Sequence, residues 1–260
     1  MQKIETLSFA EQYKDATVSF SPFAIQNTGI IQSQTLLKLD TYAIACVPYQ
    51  FGMSKGVLAA SFSKDEIAFF QRFKGSLAGL ALAIQRPDAR EPAKVFCRCQ
   101  ISAIGALKGR ESVGLVVCEW KPIPPDLATV LGEYLTLLDK LKVEFEDFKN
   151  KSIQVSPEAA KRLGFNNYAV MNIGGIQHKL ALFALAANRL EFLMPLRSAD
   201  MVPGTDTVFS LFFLKYRFNV AGKIEHAERL PTGVQRVKAS IGFSAELIHL
   251  LDDYFRSRRQ

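Results

Sequence analysis

Few residues in this chain carry chemistry by themselves. Its 260 residues include three histidines, one tryptophan and four cysteines. His178, His226 and His249 lie far apart, and none has a companion at metal-ligand spacing. Cys46, Cys97, Cys99 and Cys118 are too sparse for a disulfide scaffold, which points to a reducing, cytoplasmic setting. A Gly-rich phosphate loop ending in Lys-Ser/Thr is missing, as is a Gly-x-Ser-x-Gly elbow. The longest apolar runs, Leu180–Ala187 and Val208–Leu214, fall well short of the ~20 residues that span a bilayer, so membrane insertion is not expected. Met1–Asp15 lacks the basic-then-apolar order of a secretory signal. With no catalytic constellation in view, the chain reads as a binding or signalling protein rather than an enzyme.

What is present is a β-rich pattern with abundant phenylalanine, 20 residues in all. Strand-like runs cover Ala16–Phe20, Gly29–Leu39, Tyr42–Pro48, Val57–Phe62, Leu77–Ile84, Ala93–Ile104 and Val113–Trp120. Ser63 with Glu66 three residues on is a capping box that opens a short helix. Pro124-Pro125 then starts a long helix. Its apolar positions Leu127, Leu131, Tyr134, Leu138, Leu141, Phe145 and Phe148 keep heptad spacing. That stripe can lie on the chain's own domains or, over residues 124–149, on a second copy.

The second half opens with another helix signal: Ser156 as cap, Pro157 as first residue, Gly164 as stop. Strand-like runs follow at Tyr168–Asn172, Ile176–Ala186, Arg189–Met194, Thr207–Leu214, Tyr216–His226 and Val234–Gly242, before a closing helix from Ser244 to Arg256. The halves end alike: Leu127, Leu131 and Tyr134 align without gaps on Leu247, Leu251 and Tyr254. The expected fold is mainly β with helices: two tandem small β-barrels, each closed by a C-terminal helix. The expected division is an N-terminal barrel over 1–123, a long amphipathic helix and linker over 124–155, and a C-terminal barrel over 156–260.

The formal net charge of +7 allows an anionic partner. The basic residues are scattered, apart from Arg256, Arg258 and Arg259 at the end, and Phe-rich strands suit a core better than nucleic-acid stacking, so nucleic acid is not the expected partner. Arg86-Pro87-Asp88-Ala89-Arg90 spaces two guanidiniums as a phosphate or guanine edge would need, but it falls in a hairpin loop of the first barrel and reads as a solvated turn. Cys97 and Cys99 share one face of a strand and read as small core residues rather than a zinc site.

The turn at Ala169-Val170-Met171-Asn172-Ile173-Gly174-Gly175-Ile176 carries a resemblance. With Pro203-Gly204-Thr205, Val220–Ile224 and Ala239–Ser244 downstream, the second domain resembles the PilZ family of small β-barrels that bind cyclic di-GMP. That family has an Arg-x-x-x-Arg element before the barrel and an Asp/Asn-x-Ser-x-x-Gly turn. Val170 falls on the Asp/Asn position, Asn172 on the Ser and Gly175 on the Gly, while Lys149 and Lys151 stand where the arginines are absent. The whole chain resembles two-domain PilZ proteins of the spirochaete type, in which an N-terminal split barrel precedes the PilZ barrel. The resemblance implies a signalling receptor or adaptor of the kind that regulates motility. It would bind cyclic di-GMP at the domain junction through Lys149, Lys151, Val170, Asn172, Gly174 and Gly175, and pass the signal to a protein partner. No resident cofactor or metal is implied. A ligand-independent protein–protein interaction module and a flavin-binding split-barrel enzyme are the alternatives.

Overall fold

Two Ser-Pro pairs open two copies of one arrangement. The computed structural model describes residues 9–195 and 201–256; Arg258 and Arg259 lie outside them. The chain divides into two units, Met1–Leu137 and Leu138–Gln260.

In the first unit, a short strand β1 (Thr17–Ser19) leads into helix α1 (Pro22–Thr28). The Ser21 hydroxyl accepts a hydrogen bond from the Ala24 amide, Pro22 takes the first turn, where no N–H is needed, and Gly29 ends the helix at φ 69°. In the second unit, β8 (Ile153–Gln154) leads into α4 (Pro157–Leu163). Here Ser156 caps through the Ala159 amide, Pro157 follows, and Gly164 closes the helix at φ 64°.

Six barrel strands follow in each unit: β2 (Leu36–Leu39), β3 (Tyr42–Gly52), β4 (Lys55–Ser61), β5 (Leu77–Ile84), β6 (Ala93–Leu107) and β7 (Arg110–Trp120) in the first. The second has β9 (Phe165–Ile173), β10 (Ile176–Ala186), β11 (Arg189–Pro195), β12 (Asp206–Phe213), β13 (Arg217–Arg229) and β14 (Val234–Ile241). Each set is two three-stranded antiparallel meanders. β4 pairs with β7 and β5 with β2 in one; β11 pairs with β14 and β12 with β9 in the other. Both close into six-stranded antiparallel barrels of the same circular order, and the short leading strand docks on the second barrel strand in each, β1 on β3 and β8 on β10.

The correspondence extends to irregularities. A bulge in β3 sets Tyr49 out of register, and a bulge in β10 does the same to Phe183. The Tyr49 carbonyl accepts from the Phe20 amide at 3.1 Å and the Phe183 carbonyl from the Val155 amide at 2.9 Å, tying each bulge to the residue before its Ser-Pro cap. β6 and β13 carry matching bulges, at Ile101/Ala103 and Ile224/His226. The Gly75 and Gly204 amides reach the Ile101 and Ile224 carbonyls, each at 2.7 Å.

Strand alternation builds the two cores. Leu37, Leu58, Leu80, Cys99 and Ile101 fill the first barrel; Met171, Phe192, Phe209, Leu211 and Val237 fill the second. Each fully buried Phe contributes roughly 1.5–3 kcal/mol of transfer free energy.

Helix α2 (Lys64–Phe70) starts from the expected capping box, with both reciprocal Ser63–Glu66 bonds formed. Helix α3 (Pro125–Phe148) follows the first barrel, and the boundary between the units falls inside it. Its first half buries Leu127, Leu131 and Tyr134, the last against Phe23 in the first unit. Its second half buries Leu141 and Phe148 and sets Phe145 on Phe243 and Phe148 on Phe255, all in the second unit. Of the two placements open to the heptad stripe, the chain's own residues thus take up Leu127, Leu131, Tyr134, Leu141, Phe145 and Phe148. Helix α5 (Ala245–Arg256) closes the second barrel, and Arg256 pairs with Asp252 at 2.7 Å and Glu144 at 3.7 Å.

One expectation is corrected. Gly29–Leu39 is not a single strand: Gly29 terminates α1, Gln32–Gln34 form a 3-10 turn, and only Leu36–Leu39 enters the sheet. The polar Gln-Ser-Gln step interrupts the apolar run and turns it before it joins the barrel.

Candidate functional site

The Asn172–Gly175 segment is a tight hairpin turn. Ile173 and Ile176 pair as the last rung of β9 and β10, leaving Gly174 and Gly175 as a two-residue loop with φ 58° and 88°. Positive φ at both positions is the primed turn whose twist matches a hairpin, and glycine adopts it without steric cost. Asn172 supplies the third element: its Oδ1 accepts from the Gly175 amide at 3.0 Å. Its carbonyl accepts from the Thr207 hydroxyl at 2.9 Å. Val170 stands half-buried on the outer face, opposite Lys179 and Ser210, and offers no polar atom.

The two lysines lie elsewhere. Lys149 Nζ sits 2.6 and 2.7 Å from the Glu146 carboxylate oxygens and 4.9 Å above the Phe145 ring. Lys151 Nζ lies over the rings of Phe148 and Phe255, at 4.8 and 5.6 Å. Lys151 precedes β8, which pairs with β10 at Ala184 and Leu185, whereas Asn172 pairs with Gln177 near the start of β10. Roughly 25 Å of strand separates these points at ~3.3 Å per residue. Of the residues expected to line one site, Val170, Asn172, Gly174 and Gly175 lie together at one end of β10, and Lys149 and Lys151 lie toward the other.

At the lysine end the register assembles a charged face. Gln154, Ala184, Glu191, Lys238 and His226 form one row across β8, β10, β11, β14 and β13. Glu191 is 9% exposed and has three cations around it: Arg236 Nη2 at 2.5 Å, Lys238 Nζ at 3.8 Å and Arg189 Nε at 4.0 Å. The Arg236 guanidinium also stacks on the bulge residue Phe183, 4.5 Å from the ring centre, and its buried Nε has no hydrogen-bond partner. Buried donors are nearly always satisfied, so an unpaired guanidinium donor is unusual, and the surplus positive charge around it suits an anion with planar acceptors. Gln154 also borders a cleft of about 260 Å³ lined by Ser152, Ser156, Glu158, Arg162 and Phe255.

This cluster belongs to the second barrel alone. The shared register places Lys55, Val57, Leu115 and Val117 of the first barrel where Arg189, Glu191, Arg236 and Lys238 stand in the second, so three of the four charges become apolar. The signal in the sequence was charge at alternate positions of two strands, Arg189/Glu191 and Arg236/Lys238.

Elsewhere, Arg86 sits in the β5–β6 loop, 3.9 Å from Glu133. The four thiols are free and buried, with Cys97 and Cys99 facing the core. No group of metal-ligating side chains occurs among the described residues, and no described helix is long and apolar enough to cross a membrane. Burial pushes the Cys46 and Cys97 thiols up to about 12, and a hydrogen bond to Cys99 together with burial raises Cys118 as well. Cys46, Cys97 and Cys118 are therefore protonated packing groups, while the hydrogen bond with Cys118 lowers Cys99.

Comparison with known proteins follows the same lines. The structure of Borreliella burgdorferi PlzA in complex with c-di-GMP matches 98% of this chain and 100% of that one, at TM-score 0.50 and 16% identity. Escherichia coli YcgR in complex with c-di-GMP matches 98% of this chain and 92% of that one, at TM-score 0.32 and 10% identity. Bacillus subtilis Inhibitor of motility (MotI/DgrA) matches 88% of this chain and 97% of that one, at TM-score 0.33 and 7% identity. Among curated proteins nothing matches. The PilZN3 domain model matches residues 2–138, more than half of the sequence, and the chain belongs to the PilZN3 family, here in a two-barrel PilZ architecture.

Proposed function

We propose that this protein is a cyclic di-GMP receptor or adaptor that holds the dinucleotide on the second barrel and passes the signal to a protein partner in the cytoplasm. The observation that carries the reading is the Arg189–Arg236–Lys238 cluster, three cations about the one carboxylate of Glu191. A cyclic dinucleotide presents two phosphates and two guanine edges, and an arginine fork matches either bidentately. The structure with the matching fold, PlzA, is a complex with c-di-GMP, which supports the same ligand class here. Lys151, at the same end of β10, adds positive charge, while Lys149 is paired with Glu146; the Asn172–Gly175 turn serves the hairpin.

Isothermal titration of the full chain with cyclic di-GMP tests this. Saturable binding that weakens about tenfold or more in Arg236→Ala and Lys238→Ala, and is unchanged in Asn172→Ala, is the expected result. Binding that survives both cluster substitutions would overturn the site.

One observation favours a second reading, a partner-binding module that needs no nucleotide. Lys149 and the side chain of Asn172 are already engaged within the chain. Absence of binding heat, with no change in melting temperature on adding the dinucleotide, would select it.

A further inference from the structure

The outer face of the first barrel over β2, β5 and β6 is a surface of a different chemistry. Register sets Leu36, Ala81 and Phe96 side by side in one row, and Lys38, Gly79 and Arg98 in the next. Phe96 is 72% exposed and Leu36 41%. A large aromatic and a leucine flanking an alanine make an apolar row across three strands in water, and such exposed apolar rows mark contact surfaces. Gly79 leaves a gap between its two cations, since no atom lies within 4 Å of where a side chain would begin. Lys94 stands on the same face one step from Phe96. None of Lys38, Lys94 and Arg98 forms an ion pair among the described residues, and the three strands contain no aspartate or glutamate.

We propose that this face docks an acidic, amphipathic segment of a protein partner, with an apolar side chain seated against Phe96 and Leu36 and carboxylates on Lys38 and Arg98. Charge complementarity selects the occupant. Three unpaired cations with no counter-charge on their strands favour a negatively charged partner, and aliphatic Leu36 and Ala81 beside the ring favour a protein segment over stacked bases. Because both sheets close, the partner gains no strand edge here and is held by side chains. The inference rests on the adaptor reading above but not on its ligand.

The probe is a fluorescent peptide with leucine at i, i+3, i+4 and i+7 and glutamate elsewhere, titrated into the full chain by anisotropy. Its lysine-for-glutamate counterpart and a single-stranded oligonucleotide serve as comparators. The expected result is saturable binding of the acidic peptide that falls about tenfold or more in Phe96→Ser and in Arg98→Glu, and weakens as salt rises. Both positions are exposed, so melting curves of the variants should match the parent. Arg236→Ala should leave peptide binding intact, and Phe96→Ser should leave cyclic di-GMP binding intact, which keeps the two sites separable. No binding of the acidic peptide, equal binding of the lysine peptide, or tighter binding of the oligonucleotide through the same residues would each overturn the proposal.

Discussion

Arg236 and Glu191 meet at 2.5 Å across neighbouring strands, and the same guanidinium keeps a buried Nε with no partner. One carboxylate thus holds three cations in place without exhausting them. Glu191→Ala should therefore act in two directions. Loss of the charged hydrogen bond and the remaining repulsion should lower stability by on the order of 2 kcal/mol in urea denaturation. Removing the competing carboxylate should at the same time raise affinity for a polyanion such as pyrophosphate, read by calorimetry. A variant that loses stability and anion affinity together would show Glu191 positioning the cations rather than competing for them.

At the opposite end of β10, Asn172 and the two glycines should behave as structural residues. Asn172→Ala removes the bond to the Gly175 amide and should cost about 0.5–1 kcal/mol. Gly174→Ala and Gly175→Ala each force a side chain into positive φ and should cost about 1 kcal/mol or more. Chemical denaturation of the three variants checks the order.

The Ser-Pro caps give a matched pair. Ser21→Ala and Ser156→Ala should each cost about 1 kcal/mol. Trp120, the single tryptophan, is buried in the first unit, so its fluorescence reports the Ser21 variant, and far-UV circular dichroism reports the Ser156 variant.

The buried thiols predict an alkaline weakness. Cys46 and Cys97 titrate near 12 in the fold and near 9.0 without burial, so the unfolded chain releases their protons first. Their contribution is intact below pH 9 and is lost as pH rises toward 12. The melting temperature should fall more steeply across that window in the parent than in the Cys46→Ala/Cys97→Ala variant. At neutral pH none of the four thiols should react with a disulfide reagent until the chain unfolds.

Much of this architecture was legible in advance. The runs Leu77–Ile84 and Ile176–Ala186 became strands with those bounds, and the matching ends of the halves became equivalent closing helices. Local signals sufficed because turn residues bracket each run. The helix after Ser21 carries the same Ser-Pro…Gly signature as Ser156–Gly164, but the isoleucines directly beyond Gly29 give that stretch the look of a strand. The charged face was not legible for a different reason. Arg236 and Glu191 are 45 positions apart, and only the β11–β14 pairing that closes the barrel makes them neighbours.

That closure also bears on how such a protein can change its associates over time. Backbone groups along a free strand accept almost any extended chain, whatever its side chains. Among the described residues, the strands outside the closed rings are the three-residue β1 and the two-residue β8, too short to template a foreign strand. Recognition is left to exterior side chains on an otherwise fixed frame. A few surface substitutions can then redirect an interaction without touching a core residue, and two barrels of one design can drift toward different clients independently.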